Sequence, residues 1–495
     1  FHPVDSTDLR LTIRQVTAKL NTPNALSLYG IPDDAFTASE ETYVGGTLQN
    51  QTTSRWHNLA RFAFAQFDYP RTNPTPTGTA FDPFGFGANY LGNPVTIRGA
   101  NGYSVTGAAI LDFGATYPDI SQNYSARRSL YGQSDYQFLN NLAATFAFRY
   151  EHENGQAITR DNYTYTLQAH GDLGKLFYFT VGTGLENNAV FGFAASPRVS
   201  LAYYLRQPSS NWMGETKVKF NFGKGIKEPA IFDQTFSVFA LLSPALISQT
   251  GISPVGPERS RSFDFGVEQG LWGGRARLGV TFFHNNFYDM INFFSTAGLI
   301  AIGVDPAAAA EAGFAAANAE SLRSRGLETQ FMANLGRGVT VQGEYTYQDA
   351  VVTKSFGDPA FGTSFPDIPI GAFSPLKGAR PFRRAPHSGS LTLSYAQRKW
   401  SAAFTGFLVS RRDDSTFLSD GFFGNTLLLP SRNLAPAYQK FDLSGRYALN
   451  SVLSLFTSVE NVFSQRYEAA FGFPAAPLTF RSGLKFTIGG EAWGH

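Results

Sequence analysis

The chain of 495 residues contains no cysteine, only three methionines and five tryptophans. No apolar run approaches the ~18 residues of a membrane-crossing helix, so a helical membrane protein is excluded. The lack of cysteine removes disulfides and thiolate metal sites, and it suits an oxidising envelope compartment where a stray thiol is a liability. Charge is sparse as well. Asp, Glu, Lys and Arg make up 16% of the residues and the formal net charge is +2, which leaves no basic stripe for nucleic acid. The opening FHPVDS has neither a charged n-region nor an apolar h-region, so an exported protein would carry its leader upstream of Phe1.

Aromatic residues and glycine are abundant: 47 Phe, 22 Tyr and 49 Gly. That composition suits many strands and turns, with aromatic girdles at two interfaces. The last strand alternates cleanly. Leu478, Phe480, Ser482, Leu484, Phe486 and Ile488 point one way, and Thr479, Arg481, Gly483, Lys485 and Thr487 the other. The same alternation sets Val218, Phe220 and Phe222 against Lys217, Lys219 and Asn221, and Phe263, Phe265 and Val267 against Asp264 and Glu268. Tyr163, Tyr165 and Leu167 likewise oppose Thr164, Thr166 and Gln168. A soluble sandwich shows such strands too. What separates the two is how many strands there are and how they are joined.

We read about twenty strands, among them 95–100 and 103–111 joined at an Asn101-Gly102 hairpin. Tight turns at 140–141, 172–174, 271–274 and 336–338 fall on one side of the zigzag. Long connections at 224–258, 289–320, 351–383, 412–437 and 464–477 fall on the other. An outer-membrane barrel has short periplasmic turns and long extracellular loops, and closure is how a sheet satisfies its backbone in lipid. The expected fold is therefore all-β, a transmembrane antiparallel β-barrel, with residues 1–495 as one barrel domain. Lys217, Lys219, Asp264, Glu268, Arg481 and Lys485 are expected to face the lumen, and Leu484 the lipid.

The stretch SVENVFSQRYE at 458–468 carries Asn461, Val462, Phe463 and Tyr467, and leads through Gly472, Phe473 and Pro474 to Arg481, Gly483 and Phe486. This resembles the C-terminal signature of the TonB-dependent outer-membrane receptors. GKGIKEP at 223–229, and GPERSRSFDFGVEQG at 256–270 with Pro257 and Glu258, are similar to that family's mid-barrel blocks. So are FHNNFYDMI at 283–291, SRGLETQ at 324–330 with Gly326 and Glu328, and RPFRRAPHSGS at 380–390. The blocks cover most of 213–490 in order. The tail EAWGH departs from the pattern, since the family ends on or near an aromatic residue.

The resemblance implies a barrel of about 22 strands, so two strands and an N-terminal plug are expected upstream of the roughly twenty seen here. It implies a receptor in the outer membrane of a Gram-negative bacterium, surrounded by outer-membrane lipid and expected to be a monomer. A scarce, bulky ligand of siderophore, cobalamin or glycan type would bind at the extracellular loops and pass to the periplasm when the TonB complex pulls on the plug. The resemblance implies no cofactor. The rivals are a plugless, porin-like diffusion channel and a purely structural surface protein.

An enzyme is not expected. The seven His are scattered, and His387-Ser388 lies in no nucleophile-base-orienter arrangement. Asp33, Asp34, Asp413, Asp414 and Asp420 are the residue type that binds Ca²⁺, but solvated turn and loop acids are the favoured reading of them and no metal is assigned. The Ala-rich segment 305–320 reads as a short loop helix. Phe232, Phe236, Phe239, Phe361, Phe365, Phe422 and Phe423 at loop tips would form an apolar funnel for ligand, although interface girdle is an equal reading of each.

Overall fold

The computed structural model describes residues 6–21, 36–68, 71–73, 94–98, 104–108, 119–121, 124–155, 158–295, 299–300, 302–312, 314–355, 377–414, 435–470 and 473–487. Its main sheet has twenty strand segments. Two of these, Arg71–Asn73 and Asp119–Ser121, are three-residue continuations of longer neighbours, which leaves eighteen long strands. We number them β1 (Thr7–Asn21), β2 (Phe36–Thr53), β3 (Trp56–Asp68), β4 (Tyr124–Leu139), β5 (Leu142–Gly155) and β6 (Ile158–Leu173). Next are β7 (Phe177–Asn188), β8 (Gly192–Arg206), β9 (Met213–Lys227), β10 (Glu258–Leu271), β11 (Ala276–Ser295) and β12 (Phe314–Gly336). The last six are β13 (Val339–Lys354), β14 (His387–Ala396), β15 (Trp400–Val409), β16 (Tyr438–Ala448), β17 (Leu453–Glu460) and β18 (Thr479–Phe486).

Each strand pairs antiparallel with the next in the chain, from β1–β2 to β17–β18, in an up-and-down meander. Among the described residues no ladder joins β18 to β1. Strand length suits the task, because crossing a bilayer at a tilt takes about 9–11 residues and most of these strands exceed that. Connections at one end are short throughout: 54–55, 140–141, 174–176, 207–212, 272–275, 337–338, 397–399 and 449–452. At the other end, 69–123, 228–257, 296–313, 355–386 and 410–437 are long, although 156–157 and 189–191 are tight there too.

The strands at 95–100 and 103–111 are where the structure departs from the sequence reading. Pro94–Arg98 and Ser104–Ala108 do pair as a hairpin, but in a separate two-stranded sheet within the β3–β4 connection. Five residues each are too few to span a bilayer.

The Ala-rich segment departs as well. Only Pro306–Ala312 is helical, and 314–320 extends β12 by pairing with the end of β11. Ala315 and Ala317 on one face and Ala316 on the other are all at most 1% exposed, so loop structure covers both faces and only small side chains fit. Close packing there overrides the helical preference of alanine.

Among the described residues a hydrophobic core gathers at the end of the sheet that carries the long connections, in a cap built from 228–257, 289–295, 299–300, 302–312 and 314–319. Val238, Leu242, Ile252, Phe294, Leu299 and Val304 form its centre. Helix α1 (Ile231–Thr235), a 3₁₀ turn (Val238–Leu241), helix α2 (Pro244–Thr250) and helix α3 (Pro306–Ala312) surround it. Local sequence sets α2. Ser243 Oγ accepts from Leu246 N–H at 3.3 Å, Pro244 occupies the first turn, and Gly251 ends the helix at φ 66°.

Candidate ligand-binding site

Side-chain facing follows from register, because an unbroken ladder carries one parity from strand to strand. From β9 to β18 the partners run Lys219↔Gly266, Asp264↔Phe283, Phe283↔Gly326 and Gly326↔Gln348, and later Ser458↔Arg481 and Ser454↔Lys485. Lys217, Lys219, Asp264, Glu268, Gly326, Glu328, Arg481, Gly483 and Lys485 thus share one face of the sheet. Phe265, Leu327, Leu484 and Phe486 share the other, where they are exposed. The polar face is cross-linked by ion pairs. Glu268 takes Lys217 Nζ at 2.6 Å and also bonds Lys219, and Arg481 Nη1 meets Glu460 Oε1 at 2.7 Å. Lys219, Asp264, Glu328 and Arg384 line a cavity of about 650 Å³ against this face.

Two glycines of the sequence blocks have a steric reason there. A Cβ on Gly326 would lie 1.8 Å from the Tyr347 carbonyl oxygen and 2.9 Å from the Phe283 ring. On Gly483 it would lie 2.6 Å from Phe456 Cζ, so the ring of Phe456 occupies the space that a side chain would fill.

Above the polar wall, at the end of the sheet that carries the long connections, a buried knot fastens the cap to the barrel. The Arg160 guanidinium is its centre. It donates to Glu153 Oε2 from Nη2 at 2.7 Å and Nε at 3.0 Å, to Pro229 O at 2.8 Å and to Gln234 Oε1 at 3.1 Å. Its Nη2 lies 3.2 Å from Glu228 Oε1. Glu228 Oε2 also accepts from Asn162 Nδ2 at 2.9 Å and Asn188 Nδ2 at 2.7 Å, while Arg127 Nη2 reaches Glu153 Oε1 at 3.2 Å. Beside the knot, Tyr124, Arg127, Lys227, Ile231 and Phe232 line a cleft of about 450 Å³. That volume is typical of a small-molecule site, and its walls combine apolar surface with a few converging charges.

Phe232 and Phe236 pack with ring centres 4.6 Å apart, and Phe232 meets the edge of Phe293 at 6.1 Å. Phe236 and Phe239 are half-buried in the cap. Phe361, Phe365, Phe422 and Phe423, like Asp33, Asp34 and Asp420, lie outside the described residues. Asp233, in α1, accepts from Ala230 N–H at 3.1 Å. Burial pushes its carboxyl above the usual carboxylate range, although that hydrogen bond and the charge of Lys227 pull the other way. Asp414 is buried against Arg383 Nε at 3.1 Å, and the Asp413 carbonyl accepts from Arg383 N–H.

The remaining block residues build loops. Pro257 is buried, and Glu258 pairs with Lys227 at 2.6 Å while accepting from Ile291 N–H at 3.0 Å. Asn461 is 2% exposed and holds the β17–β18 connection. Its Nδ2 donates to Gln465 O and Ala476 O, and its Oδ1 accepts from Gln465 N–H. Tyr467 stacks on Tyr438 at 4.2 Å, and Phe463 is exposed with its ring against Phe441. Arg127, Glu153, Arg160, Asn162, Asn188 and Glu228 were not singled out from sequence. The parity of Thr164, Thr166 and Gln168, extended toward the N-terminus by two more positions, reaches Asn162 and Arg160.

The family model described as "TonB dependent receptor-like, beta-barrel" matches residues 4–462. Over 217 residues the chain is 29% identical to the metal-pseudopaline receptor CntO of Pseudomonas aeruginosa, covering 43% of this chain and 24% of that protein. The match thus spans about a quarter of the curated relative's length. The siderophore receptor PirA from Acinetobacter baumannii superposes with a TM-score of 0.66 at 12% identity, over 99% of this chain and 69% of that one. The copper transporter OprC gives 0.61 at 13% identity (98% and 70% covered), and the unliganded ferric citrate transporter FecA 0.61 at 14% (98% and 68%). At such identities the superpositions show a shared fold alone. Members of this family are receptors and transporters of the Gram-negative outer membrane, and by the family match over residues 4–462 this chain belongs to it as a TonB-dependent receptor β-barrel.

Proposed function

We propose that the protein is an outer-membrane receptor that takes up a small metal chelate of siderophore or metallophore type, with the TonB complex supplying the energy. The observation that carries this reading is the rim cleft of about 450 Å³ between the barrel wall and the α1 segment. Three cations, Arg127, Arg160 and Lys227, and two carboxylates, Glu153 and Glu228, converge there beside Phe232 and Tyr124. Such a site suits a compact ligand with anionic groups and an apolar or planar body. It is small for an extended glycan. The metal-chelate receptors and metal transporters among the similar proteins favour the same ligand class.

In this reading, the polar face with Lys217, Lys219, Asp264, Glu268, Arg481 and Lys485 lines the lumen below the cleft. Phe232, Phe236 and Phe239, with Phe361, Phe365, Phe422 and Phe423 on the other loops, contribute apolar contacts to the ligand. The test is uptake of radiolabelled iron, copper and zinc chelates by cells that express the full gene product, with TonB present or deleted. Uptake of at least one chelate that needs both the protein and TonB is expected. Accumulation that continues without TonB points instead to a passive channel, and no uptake of any chelate contradicts the ligand class.

A further inference from the structure

The apolar face of the sheet is not apolar all the way to the rim. Near the rim it carries basic residues on β9, β10 and β12. Lys224 pairs in register with Arg261, Arg261 with Asn286, and Asn286 with Arg323, so three cations lie in one row across four strands. At about 4.8 Å per strand that row spans about 15 Å, wide enough for two phosphates on one headgroup. One row nearer the membrane, Phe263 pairs with His284, His284 with Arg325 and Arg325 with Asp349. One row farther out, Arg259 pairs with Tyr288.

Directly below, the same parity gives Phe222 and Phe220 on β9, Phe265 and Val267 on β10, Phe282 and Val280 on β11, and Leu327 and Phe331 on β12. That apolar band must contact acyl chains. The cations therefore sit at headgroup level on the outside of the wall, on the extracellular side.

The patch is incompletely neutralised. Asp289 meets Arg259 at 3.3 Å, and Asp349 meets Arg325 at 3.1 Å and Arg323 at 3.4 Å. Five cations against two carboxylates leave a net charge of three. Among the described residues neither Lys224 nor Arg261 meets a carboxylate, and both are exposed. The described strands β2 to β6 differ. At comparable outward-facing positions β2 to β6 carry Glu40, Asp68 and Asp161, with Arg128 as the cation. A lipid-facing cation is costly unless it meets an anion, so a cluster in one sector needs a local partner.

We propose that Lys224, Arg259, Arg261, Arg323 and Arg325 form a docking site for the phosphate groups of a phosphorylated glycolipid in the outer leaflet. The guanidinium forks bind phosphate oxygens in pairs, and the aromatic and aliphatic residues below receive the acyl chains. The bound lipid anchors this sector of the wall beneath the cap.

The test uses the full gene product in detergent, titrated with diphosphorylated hexaacyl lipid A, with the same lipid after phosphatase treatment, and with inorganic phosphate. Native mass spectrometry reads retained lipid, and heat-modified gel mobility reads folding. The phosphorylated lipid is expected to bind at least tenfold more tightly than the dephosphorylated one. The triple variant Lys224→Ala, Arg261→Ala, Arg323→Ala should weaken that binding by about a hundredfold, at roughly 1 kcal/mol per cation. Arg128→Ala should leave it unchanged. Asp349→Asn releases two guanidinium groups and should tighten binding by about fivefold, which keeps the test open if the triple variant fails to fold. Equal binding of the two lipids, an unaffected triple variant, or no gain in Asp349→Asn would overturn the site. Displacement of the lipid by inorganic phosphate at equal concentration would reduce it to a free-anion site and overturn the lipid assignment.

Discussion

Replacing Arg160 by methionine keeps the apolar stem and deletes the charge at the centre of the rim knot. The guanidinium side chain is 5% exposed, and its partners Glu153 and Glu228 are 15% and 20% exposed. Removing one partner of a buried pair costs about 3–5 kcal/mol because the other charge is stranded. Here the stranding is incomplete. Glu153 keeps Arg127, and Glu228 keeps Asn162 and Asn188, so about 2–3 kcal/mol is expected. The loss should be local, since Arg160 also holds Pro229 and Gln234, which open the cap segment. Amide exchange in 228–257 and 302–312 should accelerate by roughly thirty- to 150-fold, while β10 and β12 keep their protection. Coupling can be checked with Glu228→Gln, whose cost added to that of Arg160→Met should exceed the cost of the double variant. The reasoning is refuted if cap exchange is unchanged, or if the whole barrel loses protection equally.

Gly483→Ala should destabilise the β17–β18 pair by about 1–3 kcal/mol, read from urea-induced unfolding in vesicles, because its Cβ would meet the Phe456 ring. Phe456→Leu in the same chain should recover most of that loss. Leu484→Arg should cost about 2–4 kcal/mol in the same assay if the position lies near the midplane, and Lys485→Leu much less; equal costs would reverse the assignment of faces. Asp233 has a raised carboxyl pKa, so the folded cap favours its neutral form. The resulting stability is present below the ordinary aspartate value and fades as pH rises through the raised one. Asp233→Asn should flatten that dependence in cap exchange rates and leave the cap at least as protected at pH 7.

The wall was legible in the sequence because period-two alternation is local. Residues 478–488 alone separate Leu484 from Lys485, and the ladder carries the same parity back to Lys217. Loop structure was legible only in pieces. Asn101-Gly102 marks a hairpin correctly, yet turn chemistry carries no information on which sheet the hairpin joins. Strand length did, and Pro94–Arg98 is too short to span. Residues 314–320 look helical by composition, and become strand because β11 offers a ladder and the cap covers both faces. The Arg160 knot was invisible for a different reason. Asn162 and Glu228 are 66 residues apart and Arg160 and Gln234 are 74, so only the folded sheet from β6 to β9 brings them together.

The claim that everything else rests on is that one face of the sheet lines a water-filled lumen and the other meets lipid. The chain has no native cysteine, so single cysteines can be placed without background. The most direct measurement is a scan of β10 from 263 to 268 in the full gene product, reconstituted in vesicles and treated with a membrane-impermeant thiol reagent. The account predicts a period of two: Asp264→Cys, Gly266→Cys and Glu268→Cys react, whereas Phe263→Cys, Phe265→Cys and Val267→Cys stay protected until detergent is added. Uniform reaction at all six positions, or protection at the even ones, would contradict it.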